Sequence, residues 1–156
     1  MNRTLAYTTI IATAAFAGNM INIGLSYGPH WKSLPPVEFM QTFAVDFPHL
    51  LVPTATTLLP AFIGSLVLYF RSEKGSAAKH YWLCALIGLL VVNIQTVAYH
   101  LPMNLEFMAG TVDPSAVASQ LNGWLISHWV RIGIALASSV FALKALEASS
   151  HGGSVK

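Results

Sequence analysis

With 156 residues, 54% of them hydrophobic and 9% charged, the chain is too apolar for an average soluble domain and sized for a single domain. A formal charge of +2, with no basic run interleaved with aromatics, gives no basis for binding nucleic acid. The one cysteine, Cys84, cannot close an intramolecular disulfide, and its place in an apolar run predicts a buried, inert thiol.

Crossing a bilayer takes about 20 mostly apolar residues. Residues 5–27, 50–70, 81–99 and 124–146 qualify, and the mean hydropathy of +0.59 agrees. The predicted fold is all-α: a four-transmembrane-helix bundle running up-down-up-down over residues 1–148, then a flexible cytoplasmic tail at 149–156. Ala15-Phe16-Ala17-Gly18 resembles a signal-cleavage site, but the apolar character continues past it, so an uncleaved first span is expected.

Arg3, Arg71, Lys74, Lys79, Lys144 and Lys156 flank the termini or the short second connection, whereas Lys32 lies in an opposite loop and Arg131 within a span. The positive-inside rule then puts both termini in the cytoplasm, with a bacterial inner membrane the expected location. Tyr7, Tyr69, Tyr81 and Trp82 would form the inner aromatic belt, and Tyr27, Trp31, Tyr99 and Trp129 the outer one. The two outer connections are long and carry Pro29, Pro35, Pro36 and Pro48, then Pro102 and Pro114. Both are expected to be partly helical and folded over the outer mouth as a lid, with Asp113 capping a helix that has Pro114 in its first turn.

Polar residues recur at helical spacing in the outer half of every span. Asn19, Asn22 and Ser26 share a face of the first; His49, Pro53, Thr56 and Pro60 of the second; Asn93, Thr96 and His100 of the third; Trp124, His128 and Arg131 of the fourth. The inner halves, such as residues 63–70 and 83–92, are nearly all apolar. An arginine at mid-span costs at least about 2.5–3.5 kcal/mol on the insertion scale, so such stripes should face one another across a polar pocket. Simpler roles compete with this. The asparagines could be interhelical packing bonds, and Thr54, Thr56 and Thr57 could bond back to their own helix. His30 and His80 read as surface residues, and Trp129 as an interface anchor.

Leu101-Pro102-Met103-Asn104-Leu105, followed by Trp124, His128 and Arg131 opening the last span, resembles the anthrone-oxygenase-like family of small four-helix membrane proteins. Pro102 and Asn104 match its Pro-apolar-Asn element after the third helix. Trp124, His128 and Arg131 match the Trp, the Asn or His, and the Arg that enter the fourth, and Ala15, Ala17 and Gly18 fit its small first-helix residues. The resemblance implies an oxygenase or oxidase that oxidises a lipophilic, aromatic or polyketide-like molecule with molecular oxygen. The chain departs from the family in its wealth of histidine, notably His49 and His100, which points towards a bound metal or haem.

Two mechanisms fit these residues. In a cofactor-free one, His128 is the general base while Arg131 and Asn104 stabilise an enolate-like oxygen, in a pocket lined by Asn19, Asn22, Thr56, Asn93, Thr96 and Trp124. In the other, His49, His100 and His128 hold iron, copper or haem, with Asp46 or Glu106 as an oxygen ligand or as support for one. Each histidine comes from a different helix, so spacing does not choose. The expected partners are the bilayer and a lipophilic small molecule, in the chain alone, in a homo-oligomer or in a larger complex. The rival reading is a non-catalytic small membrane subunit supplying packing surface or histidine ligands to a cofactor, through faces such as Ala12, Ala15 and Gly18 or Ala135, Ser138, Ser139 and Ala142. A transporter fits less well, because the polar stripes stop half-way and no inverted repeat is visible.

Overall fold

The computed structural model describes residues 3–151, and every regular element in it is helical. Helix α1 (Arg3–Asn22) continues through a π-helical turn (Ile23–Tyr27) into α2 (Gly28–Ser33), and α3 (Pro36–Arg71) returns. Helix α4 (Ala77–Gln95) continues through a second π-helical turn (Thr96–His100) into α5 (Leu101–Ala109), and α6 (Pro114–His151) returns. These elements build four rods, Arg3–Ser33, Pro36–Arg71, Ala77–Ala109 and Pro114–Ser150, each long and apolar enough to cross a membrane. The chain is an all-α four-helix bundle. Of the predicted tail, residues 149–151 continue α6, and Lys156 lies outside the described residues.

The outer connections are helical, as expected, and to a greater extent: they are broken only at Leu34–Pro35 and between Gly110 and Asp113. Pro48, like Pro53 and Pro60, lies inside α3, whereas four of the prolines sit where a helix tolerates them: Pro36 and Pro114 open α3 and α6, and Pro29 and Pro102 stand second in α2 and α5. Each π-helical turn immediately precedes such a proline. Gly28 N–H bonds to Ile23 O and Leu101 N–H to Thr96 O, five residues back, so the helix is wider where a proline ring would otherwise press on its preceding turn. At the outer turn of the second hairpin, Gly110 ends α5 in the left-handed conformation (φ 63°). Asp113 Oδ1 then accepts from Ser115 N–H at 2.7 Å and from Ser115 Oγ at 2.6 Å, capping α6 as expected. Those two bonds, the hydroxyl one foremost, hold the Asp113 carboxyl below its ordinary pKa.

Burial along the rods steps by three and four. In α6 the buried seam includes Leu121, Trp124, His128, Arg131, Ala135 and Ser138. In α4 it runs Ala85, Leu89 and Val92, and from Thr96 it would reach Tyr99 and Met103 in a regular helix. The π-helical turn adds one residue, so His100 and Asn104 are buried there instead. The same device in the first rod buries Gly28 and Trp31 and leaves His30 exposed.

"Inner" denotes the end carrying Arg3, Arg71, Lys74 and Lys79. A small inner core joins Leu68 and Trp82 to Ala6, Ala85, Ala142 and Ala145. Backbones approach closely beside it: a Cβ on Gly64 would overlap the Thr9 hydroxyl, and one on Gly88 the Ser138 hydroxyl. The outer end is closed by an aromatic plug. Trp31, Phe39, Phe43, Phe107 and Trp124 pack with ring centroids 4.8–6.4 Å apart and are all buried. Trp31 and Trp82 are therefore core residues rather than interfacial anchors, and Cys84 is exposed rather than buried.

Candidate functional site

Between the plug and the apolar inner half lies a cavity of about 70 Å³. Its polar lining comes from His100, Asn104, Trp124, His128 and Arg131, with Thr54 and Thr96 at its edge. Met20, Ile23, Leu50 and Trp31 complete the buried wall. No acidic side chain lines it.

The geometry fixes several roles. His128 Nε2 lies 2.9 Å from Met20 O, an atom that can only accept, so Nε2 carries the ring proton. The neutral ring then keeps a lone pair on Nδ1, which is buried and has no hydrogen-bond partner. Trp124 stacks on the His128 ring at 4.9 Å and 9°, fixing its plane, and donates through Nε1 to Asn104 Oδ1 at 2.8 Å. That bond orients the Asn104 amide and leaves its NH₂ as a donor. Arg131 is 4% exposed; its Nη2 donates to Met20 Sδ at 3.2 Å, and its Nε is unpartnered. A thioether is a weak acceptor and carries no charge, so the guanidinium remains a buried cation facing a cavity without a carboxylate.

His100 is held from the other side. Gln95 Nε2 donates to Ser127 Oγ at 2.6 Å, and Ser127 Oγ meets His100 Nε2 at 3.0 Å. Ser127 Oγ either donates to Nε2 or accepts from it, and His100 Nδ1 is buried without a partner. The cavity thus offers the bare ring nitrogen of His128, Nδ1, beside donors from Arg131 and Asn104, with the His100 ring 6.3 Å from that of His128.

Of the residues expected from sequence, His100, Asn104, Trp124, His128, Arg131 and Thr96 meet here. The others do not. His49 and Thr56 are exposed, and Thr56 Oγ1 bonds back to Val52 O at 2.8 Å. The face of α3 that turns inward carries Phe47, Leu50 and Thr54, which leaves His49, Thr56 and Pro60 of the expected stripe exposed and Pro53 half-buried. Asn19 donates to Thr54 Oγ1 at 2.9 Å, an interhelical packing bond. Asn22 is exposed and accepts from Ser26, and Asn93 bonds back to Leu89 O. Glu106 is exposed, and Asp46 accepts from Trp31 Nε1 at 2.9 Å.

The three-histidine metal site is not formed, because His49 points away from the His100–His128 pair. Among the described residues no group of three or more His, Cys, Asp or Glu could hold a metal ion. A haem does not fit either: the cavity is about half the volume, about 150 Å³, of one known to hold a single benzene. Met20, Gln95, Ser127 and Trp31 are partners that the sequence reading missed. Each is the neutral or apolar neighbour of a conspicuous residue; burial singles out Met20 and Trp31, and only hydrogen bonds single out the half-buried Gln95 and Ser127.

No protein-family model, curated protein or solved structure matches the chain.

Proposed function

We propose that the protein is a cofactor-free membrane oxygenase acting on an activated methylene or phenolic group of a lipophilic molecule. The carrying observation is the pairing, in one cavity, of a buried guanidinium without a carboxylate and a histidine whose free nitrogen is its basic one. His128 Nδ1 takes the proton from the activated carbon or hydroxyl, and Met20 O stabilises the imidazolium through Nε2. Arg131 and the Asn104 amide hold the oxyanion that develops, a setting in which a fixed donor is worth about 10²–10³ in rate. The resulting electron-rich anion reacts with oxygen. For a methylene the balance is CH₂ + O₂ → C=O + H₂O, through a hydroperoxide that loses water, with no external reductant.

The Pro102, Asn104, Trp124, His128 and Arg131 pattern supports the same reading through its likeness to anthrone oxygenases. The basic residues at the inner end support an orientation with both termini in the cytoplasm. Oxygen uptake by the purified, metal-analysed protein in lipid nanodiscs, with anthrone as probe, tests the proposal. One oxygen consumed per ketone formed, in a metal-free sample, is the expected result. Activity that tracks bound iron or copper would overturn the cofactor-free mechanism. A protein that binds the probe without turning it over would favour the non-catalytic subunit.

A further inference from the structure

We infer that the cavity is loaded sideways from the outer leaflet of the bilayer, through a gap between α3 and the π-helical turn leading into α5, by a membrane-dissolved amphiphile with an acidic hydroxyl head. The inference deepens the function proposed above and rests on it for the head-group chemistry. The route itself rests on separate observations.

The outer route from water is shut by the plug, whose five rings include two in the cavity's own lining, Trp31 and Trp124. Phe43 and Phe39 lie about two and three turns nearer the outer end of α3 than Leu50, and Phe107 lies beyond Asn104 on α5, so the plug stands between the cavity and the outer surface. On the inner side the bundle continues as close-packed Phe16, Leu58, Ala61, Leu89, Val92 and Ala135. Two residues of the lining are exposed: Leu51, at 49%, on α3, and Leu101, at 38%, at the start of α5. They mark the mouth, and both are apolar.

Depth agrees with chemistry. The hydrocarbon is about 30 Å thick, or roughly 20 helical residues. Counted outward from Arg71 on α3 and from Lys79 on α4, that length ends close to Leu51 and Tyr99. The mouth therefore sits at the outer boundary between acyl chains and headgroups, where an amphiphile places a polar head above an apolar tail. The cavity is too small to enclose even one aromatic ring whole. Only the reacting edge enters, and the rest of the molecule stays between Leu51, Leu101 and lipid. An anionic or hydroxyl head answers Arg131, which no carboxylate in the cavity neutralises and whose Nε is unpartnered, and His128 Nδ1, which is unpartnered too.

The test is stopped-flow quenching of tryptophan fluorescence by 4-nonyl-2-nitrophenol in nanodiscs, a coloured probe with an acidic hydroxyl and a lipid-soluble tail. Leu51→Trp and Leu101→Trp should each slow its association about tenfold, and Leu51→Ala should speed it severalfold. Phe39→Ala, which thins the plug, should leave the rate unchanged. Acceleration by Phe39→Ala with no effect at Leu51 or Leu101 would overturn the lateral route in favour of an aqueous one. So would binding to wild-type protein that an Arg131→Ala variant retains in full, since the probe would then be resting outside the cavity. Should the bulky variants fail to fold, an unchanged rate in Leu51→Ala and Leu101→Ala overturns the route as decisively. Probe binding through the mouth without anthrone oxidation would sink the oxygenase and leave the route standing; oxidation with rates indifferent to the mouth would do the reverse.

Discussion

The first hairpin, α1 to α3, and the second, α4 to α6, share one order of elements: a long rod, a π-helical turn, a short helix with proline second, a brief break, and a returning helix that opens with proline. Each is tied across its outer turn by a tryptophan donating to an Asx side chain. Trp31 on the outgoing arm reaches Asp46 on the returning one, whereas Trp124 on the returning arm reaches Asn104 on the outgoing one. Their chemistry diverges. The second hairpin supplies His100, Asn104, Trp124, His128 and Arg131, and the first answers with apolar wall, the Met20 carbonyl and the Met20 thioether. A shared backbone plan thus places residues without deciding what they do. The π-helical turn brings a glycine and a tryptophan inward in one hairpin, and a histidine and an asparagine in the other.

The largest effect that would break this comparison is at Arg131. Arg131→Ala should lower turnover by about 10²–10³-fold, the scale of one lost oxyanion donor, with membrane insertion intact. An active Arg131→Ala protein would remove the chemical distinction between the hairpins. Next comes the backbone device itself. Inserting one alanine after Ala98 should rotate α5 by about 100° relative to α4, carrying His100 and Asn104 out of the seam. Activity should then be lost while circular dichroism still reports a helical protein. Deleting Ala98 instead should return the turn to α-helix with His100 and Asn104 three and seven residues after Thr96, still on the inward face, and activity should persist. Full activity after the insertion would show that the turn does not position the site.

The two Trp–Asx bonds can be separated by environment. Asn104 is buried, and Asn104→Leu leaves Trp124 Nε1 without its acceptor at a cost of about 1–3 kcal/mol. Turnover should fall too, because the orientation of Trp124 over His128 depends on that bond. Asp46 is half-buried and outside the cavity lining, and Asp46→Asn keeps an acceptor oxygen, so its effect on thermal stability should stay within about 0.5 kcal/mol. Equal losses from the two variants, in stability and turnover alike, would mean that both bonds serve the fold alone.

Much of this was legible in the sequence. Length and hydropathy gave four spans, and cost gave the pocket, because Arg131 and His128 one turn apart inside a span require a common cavity. Apolar composition concealed how far the outer segments stay helical: prolines read as breaks, yet Pro29 and Pro102 each come just after a widened turn that accepts them. It also concealed which threonine faces inward. Polar spacing selected His49 and Thr56, but the inward face of α3 steps through Phe43, Leu50, Leu58, Ala61, Ser65 and Leu68, and Thr54 falls in that series. Small and apolar residues are common on lipid-facing surfaces as well, so in a membrane helix hydrophobicity alone does not show which face is buried. The roles of Ser127 and Gln95 needed coordinates, since neither stands out from neighbours that carry more obvious chemistry.

The smallest predicted effect discriminates most cleanly between the pocket read from polar spacing and the pocket the structure holds. His49 and Thr56 are exposed on α3, and the Thr56 hydroxyl is spent on its own helix. His49→Ala and Thr56→Ala should therefore each change stability by no more than about 0.5 kcal/mol, as surface substitutions do, and leave turnover of the probe at the wild-type rate. Thr54→Val is the control one turn away on the inward face. It removes the acceptor of Asn19, a half-buried bond, and alters the cavity wall, so it should weaken probe binding measurably. A dead His49→Ala protein beside an active Thr54→Val one would reverse the assignment of faces on α3. It would bring His49 back into the site and reopen the metal mechanism that the His100–His128 pair does not complete alone.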